Sequence, residues 1–234
     1  MRKNIILIAG LWFDASIWDD VISDLRARGH RPMPLALPGV DDRSTTSTLE
    51  DQVAAAVAAV DTLTADQDDT AVIVGHSAAS SLAWILADRR PEAVERVLLI
   101  GGFPGSNATA YADFFEPVNG LMAFPGWEPF EGPDSADLDA ATRQRLAAEA
   151  VPVPEGVSRG TIQLFDQRRF DVPVTLVCPE YSPEDAMAWI RAGDIPELAN
   201  ARYVSYVDID SGHWPMVSRP AELARVIDTA ATGG

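Results

Sequence analysis

The chain has 234 residues, of which 47% are hydrophobic and 23% are charged, close to the average of globular proteins. These proportions exclude a disordered chain, a collagen and a disulfide-stabilised miniprotein, and the length predicts one domain with one insertion. Acidic residues outnumber basic residues by 35 to 18, for a formal net charge of −17. Nucleic acid and anionic membrane surfaces are not expected as partners, because binding to phosphate requires clustered lysine and arginine.

The cysteine count and the start of the chain bear on where the protein resides. Cys178 is the only cysteine, so no intrachain disulfide can form, which suits a reducing cytoplasm. Arg2 and Lys3 precede an apolar run that is too short for a signal peptide, and no run approaches the ~20 apolar residues of a membrane-spanning helix. We expect a cytoplasmic protein with a small-molecule substrate, and the composition allows a homodimer.

The predicted elements alternate between strands and helices. Short apolar runs predict strands at 5–9, 32–37, 70–74, 94–100, 172–178 and 203–209. Apolar residues at helical spacing predict helices at 17–28, 49–60, 77–88, 184–192 and 221–231. The second of these helices is predicted to begin at a capping box that runs from Ser47 to Glu50. The alternation predicts an α/β fold, with a mostly parallel sheet of about six strands flanked by helices.

The alternation is interrupted between Phe103 and Phe170. Proline and aromatic residues are frequent in this stretch, which has no strong strand pattern and one predicted helix, at 138–149. A structureless loop of this length is uncommon in a compact domain unless it covers a site. We therefore predict a cap at 103–170, inserted into a single domain that spans 1–234. The alternative is an irregular loop region.

The stretch from Val72 to Ser80 combines an apolar strand, a sharp turn and the start of a helix. A serine at such a turn is held in a strained backbone conformation, ready to attack a substrate. The residues two positions before and after it pack together and must be small, as Gly75 and Ala79 are. Ser77 is therefore the predicted nucleophile. The alternative is a serine that only caps the following helix.

A serine hydroxyl needs a base within hydrogen-bond reach, and the chain has three histidines. His76 adjoins Ser77, so its side chain is expected to leave the turn in another direction. His30 precedes a strand, at the opposite end of the sheet from the strand C-termini. His213 directly follows the last strand, at the edge where open α/β sheets bind ligands. His213 is the predicted base, and the alternative is a turn histidine without a role.

A serine on a strand-to-helix turn, followed by a histidine after the last strand, resembles the α/β-hydrolase superfamily, and the resemblance covers nearly the whole chain. Within it, the chain is similar to small bacterial esterases and to the esterase and hydroxynitrile-lyase branch. The resemblance implies that Gly10-Leu11-Trp12 is the oxyanion loop. It also implies that the backbone N–H groups of Leu11 and Ala78 form the oxyanion hole, with Trp12 as the alternative to Leu11. Such chemistry needs no metal and no organic cofactor.

The acid that orients His213 is expected in the loop after the penultimate strand. Ser182 stands where an aspartate is usual in the superfamily, and it reads instead as a helix N-cap, with Asp185 as the acid of the capping box. Glu180 leaves the strand end earlier and is the predicted acid. Glu184, Asp185 or no acid at all remain as alternatives.

These residues together predict a serine hydrolase that cleaves an ester or lactone of a small, largely apolar molecule. The alternatives are a lyase or cyclase of the same fold, and a ligand-binding module with an idle triad. Trp12 and Trp214 are expected either to line the substrate pocket or to pack in the core. The acidic pairs Asp41-Asp42 and Asp68-Asp69 are interpreted as solvated turns.

Overall fold

The computed structural model describes residues 2–66 and 69–233, so Asp68 lies outside the described residues. The strands are β1 (Asn4–Ile8), β2 (Arg31–Pro34), β3 (Ala71–His76), β4 (Val94–Ile100), β5 (Leu121–Met122), β6 (Val153–Pro154), β7 (Val174–Cys178) and β8 (Val204–Asp208). Six of them form one parallel sheet, in the order β2-β1-β3-β4-β7-β8. The parallel sheet predicted from the alternating pattern is therefore confirmed.

Helices connect the strands and cover the sheet. The α-helices are α1 (Asp19–Ala27), α2 (Leu49–Leu63), α3 (Ala79–Arg89), α4 (Ala140–Glu149), α5 (Glu155–Ser158), α6 (Pro183–Ala192), α7 (Pro196–Ala199), α8 (Pro215–Ser218) and α9 (Pro220–Thr232). Short 3-10 helices lie at Ala15–Trp18, Glu128–Phe130 and Gln167–Asp171. No helix in the described ranges is both long enough and apolar enough to cross a membrane.

Each central strand contributes to two hydrophobic cores, one on each face of the sheet. In β1, Ile5 and Leu7 pack in the core that contains α1 and α9, whereas Ile6 and Ile8 pack in the core that contains α2 and α3. All four side chains are fully buried. Successive side chains of a strand point to opposite faces, so a strand that is covered on both sides must be apolar throughout.

Two helix starts differ from the prediction. The capping box of α2 is formed by Thr48 and Asp51, so the predicted box from Ser47 to Glu50 is wrong by one residue. Thr48 has the extended backbone of an N-cap, and its hydroxyl accepts a hydrogen bond from the N–H of Asp51. The helix predicted to begin at Ser77 begins at Ala79, because Ser77 has a φ of +55° that no right-handed helix accommodates.

Other bounds also differ from the prediction, by up to three residues. The predicted helix at 17–28 is divided into the 3-10 helix Ala15–Trp18 and α1, and β2 ends at Pro34 instead of Leu37. By contrast, β4 has the predicted bounds. The exposed acidic side chains of Asp41 and Asp42 accept hydrogen bonds from backbone N–H groups in the turn after β2, as expected for a solvated turn.

Residues 103–170 connect β4 to β7 and are hydrogen-bonded to the loop after β1 and to the end of α3. The segment contains the antiparallel pair β5–β6, α4 and α5, and its predicted helix at 138–149 begins at Ala140. The N–H of Val151 donates to the carbonyl of Trp12 over 2.8 Å. Near the end of the segment, the fully buried carboxylate of Asp88 accepts hydrogen bonds from the N–H groups of Phe165 and Asp166.

Candidate active site

Ser77 stands at the apex of the turn between β3 and α3. Its φ of +55° places it in the left-handed region, which serine rarely adopts. Its N–H donates to the carbonyl of Ile100, 2.8 Å away on the neighbouring strand. A Cβ atom on Gly75 would lie 2.5 Å from the carbonyl oxygen of Ala79, so position 75 must stay glycine, whereas the need for a small side chain at position 79 stays a prediction. A close backbone contact and a backbone hydrogen bond therefore fix the conformation of this turn.

His213 lies in the loop between β8 and α8, and its imidazole reaches the serine. The distance from His213 Nε2 to Ser77 Oγ is 2.9 Å. His30 is at the far end of the sheet, where its Nε2 lies 2.8 Å from Asp228 Oδ1. Among the three histidines, His213 is thus the one whose ring contacts the serine hydroxyl.

Glu180 occupies the other side of the imidazole. Its Oε1 lies 2.8 Å from Nδ1 of His213. An ionised carboxylate can only accept, so Nδ1 carries the proton and Nε2 is free to accept the serine proton. Asp185 forms the capping box of α6 with Ser182, and Glu184 is exposed to solvent, so neither contacts the imidazole.

Two consecutive glycines after β4 leave room for the side chains of His213 and Glu180 and for the backbone of Ser77. A Cβ atom on Gly101 would lie 3.1 Å from Nδ1 of His213 and 3.2 Å from Oε2 of Glu180. A Cβ atom on Gly102 would lie 2.4 Å from the carbonyl oxygen of Ser77. Sequence reasoning missed both residues, although a Gly-Gly pair at the end of a buried strand is a usable signal of close approach.

His76 forms a hydrogen bond with the backbone of His213, a role that sequence reasoning also missed. Its side chain leaves the turn away from the serine hydroxyl, as expected, and its Nε2 lies 2.7 Å from the carbonyl oxygen of His213. Burial, reinforced by the nearby charge of His213, lowers the pKa of His76 well below its usual value. A neutral His76 therefore donates Nε2–H to that carbonyl and holds the backbone at His213.

The N–H groups implied for the oxyanion hole are available. Among the described residues, none accepts a hydrogen bond from the backbone N–H of Leu11, Trp12 or Ala78. All three residues line the cavity above Ser77, and Ala78 precedes the first turn of α3, where the helix dipole is positive. Trp12 has a φ of +68°. The choice between Leu11 and Trp12 as the second donor stays a prediction.

The cavity above Ser77 has a volume of about 590 Å³ and mostly apolar walls. Its aromatic wall consists of Trp12, Phe103, Tyr111, Phe114, Phe115 and Phe130. Tyr111 is buried, and its hydroxyl forms no hydrogen bond with any described residue. Trp214 does not line the cavity; it packs edge-on against His213, with ring centroids 4.8 Å apart. Of the two tryptophans singled out in the sequence, only Trp12 therefore borders the cavity.

Asp134, within residues 103–170, brings a further carboxylate close to Glu180 and His213. Burial raises its pKa, the negative charge of Glu180 raises it further, and the charge of His213 opposes both effects. Its backbone carbonyl accepts the N–H of His213 over 2.7 Å.

Within residues 2–66 and 69–233, no group of three or more histidine, cysteine or acidic side chains has an arrangement that holds a metal ion.

The comparisons with known proteins concern the whole chain. Residues 5–226 match the alpha/beta hydrolase family, whereas no curated protein matches the sequence. An extracellular alpha/beta-hydrolase from a Paenibacillus species is similar in structure (TM-score 0.76, 17% identity, 98% of both chains). So are a methylesterase from Arabidopsis (TM-score 0.75, 14% identity, 99% of this chain and 100% of that one) and a variant of tomato methylketone synthase I (TM-score 0.73, 15% identity, 100% and 99%).

At such low identities the likeness to solved structures shows the fold alone. That fold is the one that the order of serine and histidine predicted. The family match extends over nearly all of the sequence, and the chain belongs to the alpha/beta hydrolase family.

Proposed function

We propose that this protein is a serine hydrolase that cleaves a carboxylic ester or lactone of a small, largely apolar molecule. The observation that carries the proposal is the continuous chain of contacts from Glu180 through His213 to Ser77, with steps of 2.8 Å and 2.9 Å, beside an apolar cavity. A nucleophile that contacts a base, which in turn contacts an orienting acid, is the arrangement that acyl transfer requires.

The reaction proceeds in two steps. Nε2 of His213 accepts the hydroxyl proton as Oγ of Ser77 attacks the carbonyl carbon, and the negative charge on the carbonyl oxygen meets the N–H groups of Ala78 and of Leu11 or Trp12. His213 then gives the proton to the leaving alcohol oxygen, which departs and leaves an acyl-enzyme. Water attacks this ester in the same way, with His213 as base, and releases the acid. Throughout, Glu180 stabilises the imidazolium.

The shape and charge of the cavity support an apolar substrate. A volume of about 590 Å³ lies within the range of roughly 300–1,000 Å³ that is usual for small-molecule sites. Aromatic side chains dominate its walls, and the net charge of −17 opposes the approach of polyanions. Esters of apolar or aromatic acids and alcohols fit these conditions better than sugars or phosphates.

A non-hydrolytic reaction at the same residues is the second candidate. A methylketone synthase shares the fold, so the fold does not by itself imply ester hydrolysis. The same Ser77 and His213 would then transfer protons without adding water.

A cytoplasmic location and a homodimer remain predictions.

Hydrolysis of chromogenic esters with different acyl lengths tests the proposal. We expect Ser77→Ala to lose at least about 10³-fold in turnover while it stays folded. The matched control is Ser80→Ala, since Ser80 is fully buried in α3 and its hydroxyl has no hydrogen-bond partner among the described residues. It should retain activity. Turnover in ¹⁸O-labelled water should place the label in the acid product, and a product without the label would favour the non-hydrolytic candidate.

A further inference from the structure

One turn of the cap holds two consecutive N–H groups of the loop that carries His213. The carboxylate of Asp137 accepts the N–H of Gly212 over 2.7 Å, and the carbonyl of Asp134 accepts the N–H of His213, also over 2.7 Å. Two adjacent N–H groups with fixed partners determine the orientation of the backbone at His213. That orientation sets the direction in which the imidazole projects.

The contact between this turn and the loop is close. A Cβ atom on Gly212 would lie 2.3 Å from the carbonyl oxygen of Asp134 and 2.5 Å from Oδ1 of Asp137. Oδ1 of Asp137 is buried and has no hydrogen-bond partner among the described residues. Burying such an oxygen costs free energy. The Asp137 carboxylate therefore accepts the hydrogen bond from Gly212 through Oδ2, while its Oδ1 stays buried without a partner at a cost in free energy.

The same turn is also attached to the wall of the substrate cavity. The hydroxyl of Ser135 donates to the carbonyl of Phe130 over 2.6 Å. Phe130 lines the cavity and packs against Trp214, with ring centroids 5.3 Å apart. Arg143 of α4 donates to the carbonyls of Ser135 and Leu138 and fixes the turn itself. One short segment thus contacts both the cavity wall and the base.

We propose that Asp137 is a positioning residue, which holds His213 in line with Ser77 through the N–H of Gly212 and so makes the alignment of the base depend on the seating of the cap. This inference rests on the proposed function. Asp137 does not border the cavity, so its removal should act on the rate of the chemical step rather than on substrate binding. A base displaced by about 1 Å costs up to about 10²-fold in rate.

The test compares three variants of the full chain with a chromogenic ester that the wild type cleaves. We expect Asp137→Ala to lower kcat about 10- to 100-fold and to change KM less than about 3-fold. Asp137→Asn keeps an acceptor oxygen at the same place and should stay within about 3-fold of the wild type in kcat. The control Glu131→Ala removes an exposed carboxylate from the same part of the cap, one that accepts no hydrogen bond from a described residue, and should be unchanged.

A second readout requires no substrate. The proton on Nδ1 of His213, which is hydrogen-bonded to Glu180, should give a strongly deshielded NMR signal. We expect Asp137→Ala to alter this signal and Asp137→Asn to retain it. Equal kcat in Asp137→Ala and the wild type, or equal losses in the Ala and Asn variants, would overturn the inference. If Asp137→Ala fails to fold, the Asn variant and its NMR signal decide. If the wild type cleaves no ester, the proposed function fails, while the NMR comparison still tests the role of Asp137.

Discussion

A Cβ atom added to Gly75 or Gly102, on the sheet side of the active site, would lie 2.5 Å or 2.4 Å from a backbone oxygen. A Cβ atom added to Gly120, Gly126 or Gly132, in the cap, would have no other atom within 4 Å. The sheet side is thus fixed by close backbone contacts around Ser77. The cap combines such open turns with tightly packed positions, since a Cβ atom on Gly160 would lie 2.4 Å from Cβ of Leu49, and it is held by backbone and side-chain hydrogen bonds and by aromatic packing. We infer that the sheet side, together with the turn at 134–137 that holds the loop of His213, sets the reactivity, and that the aromatic wall of the cavity sets the choice of substrate.

The largest expected effect lies on the sheet side. Glu180→Gln removes the charge that stabilises the imidazolium and should lower kcat by about 10²–10⁴-fold, with KM nearly unchanged. The control is Glu184→Gln, four residues further along the chain and exposed to solvent, which should retain full activity. Steady-state kinetics of the two variants measure the difference. A Glu180→Gln enzyme with normal kcat would remove this residue from the triad.

A pair of glycine substitutions tests the contrast between the two sides directly. Gly102→Ala forces the backbone of Ser77 to move, and we expect a loss of about 1–3 kcal/mol in the free energy of unfolding together with most of the activity. Gly126→Ala meets open space but keeps an unfavourable φ of +85°, so it should lose about 1–2 kcal/mol and little activity. Denaturant unfolding and ester kinetics separate the two effects. Equal losses of activity would contradict the contrast.

A truncation in the aromatic wall of the cavity should change selectivity instead of reactivity. Phe115 lines the cavity and packs against Trp12, with ring centroids 5.8 Å apart. Phe115→Ala should raise KM about 10-fold for esters that fill the present cavity, leave kcat within about 3-fold, and improve turnover of bulkier acyl groups. The control Phe165→Ala removes a ring that is 67% exposed and outside the cavity. A collapse of kcat for every ester would show that the aromatic wall also sets reactivity.

The smallest expected effect concerns the thiol of Cys178, which ends β7 two residues before Glu180. Burial, with a further contribution from the charge of Asp208, raises the pKa of Cys178 to about 12. The thiol therefore stays protonated up to about pH 9 in the folded protein, and iodoacetamide should modify it only after unfolding. Mass spectrometry before and after denaturation measures this. Rapid alkylation of the native protein at pH 8 would show that the sheet side opens more readily than the contacts around Ser77 imply.

The sequence predicted those features that depend on neighbours along the chain. The strand before Ser77, the small residues at Gly75 and Ala79, and the capping box between Ser182 and Asp185 each follow from local patterns. The placement of His213 and Glu180 also needed little more than the rule that the C-terminal ends of parallel strands meet at one edge of the sheet.

Contacts between distant segments could not be predicted in this way. The bond from His76 to the carbonyl of His213 spans 137 positions, and the bond from Gly212 to Asp137 spans 75. No local pattern marks either pair. The shift of the α2 cap from Ser47 to Thr48 has a different cause, since both residues are good N-caps and the backbone conformation decides between them.

The central claim is that Ser77 is the nucleophile and that His213 activates it. A fluorophosphonate probe, which reacts with activated serines, tests this without knowledge of the natural substrate. We predict one adduct per chain, on the peptide that contains Ser77, no adduct in Ser77→Ala, and labelling at least about 10²-fold slower in His213→Ala. An adduct on another residue, or labelling of the wild type at the rate of His213→Ala, would contradict the account.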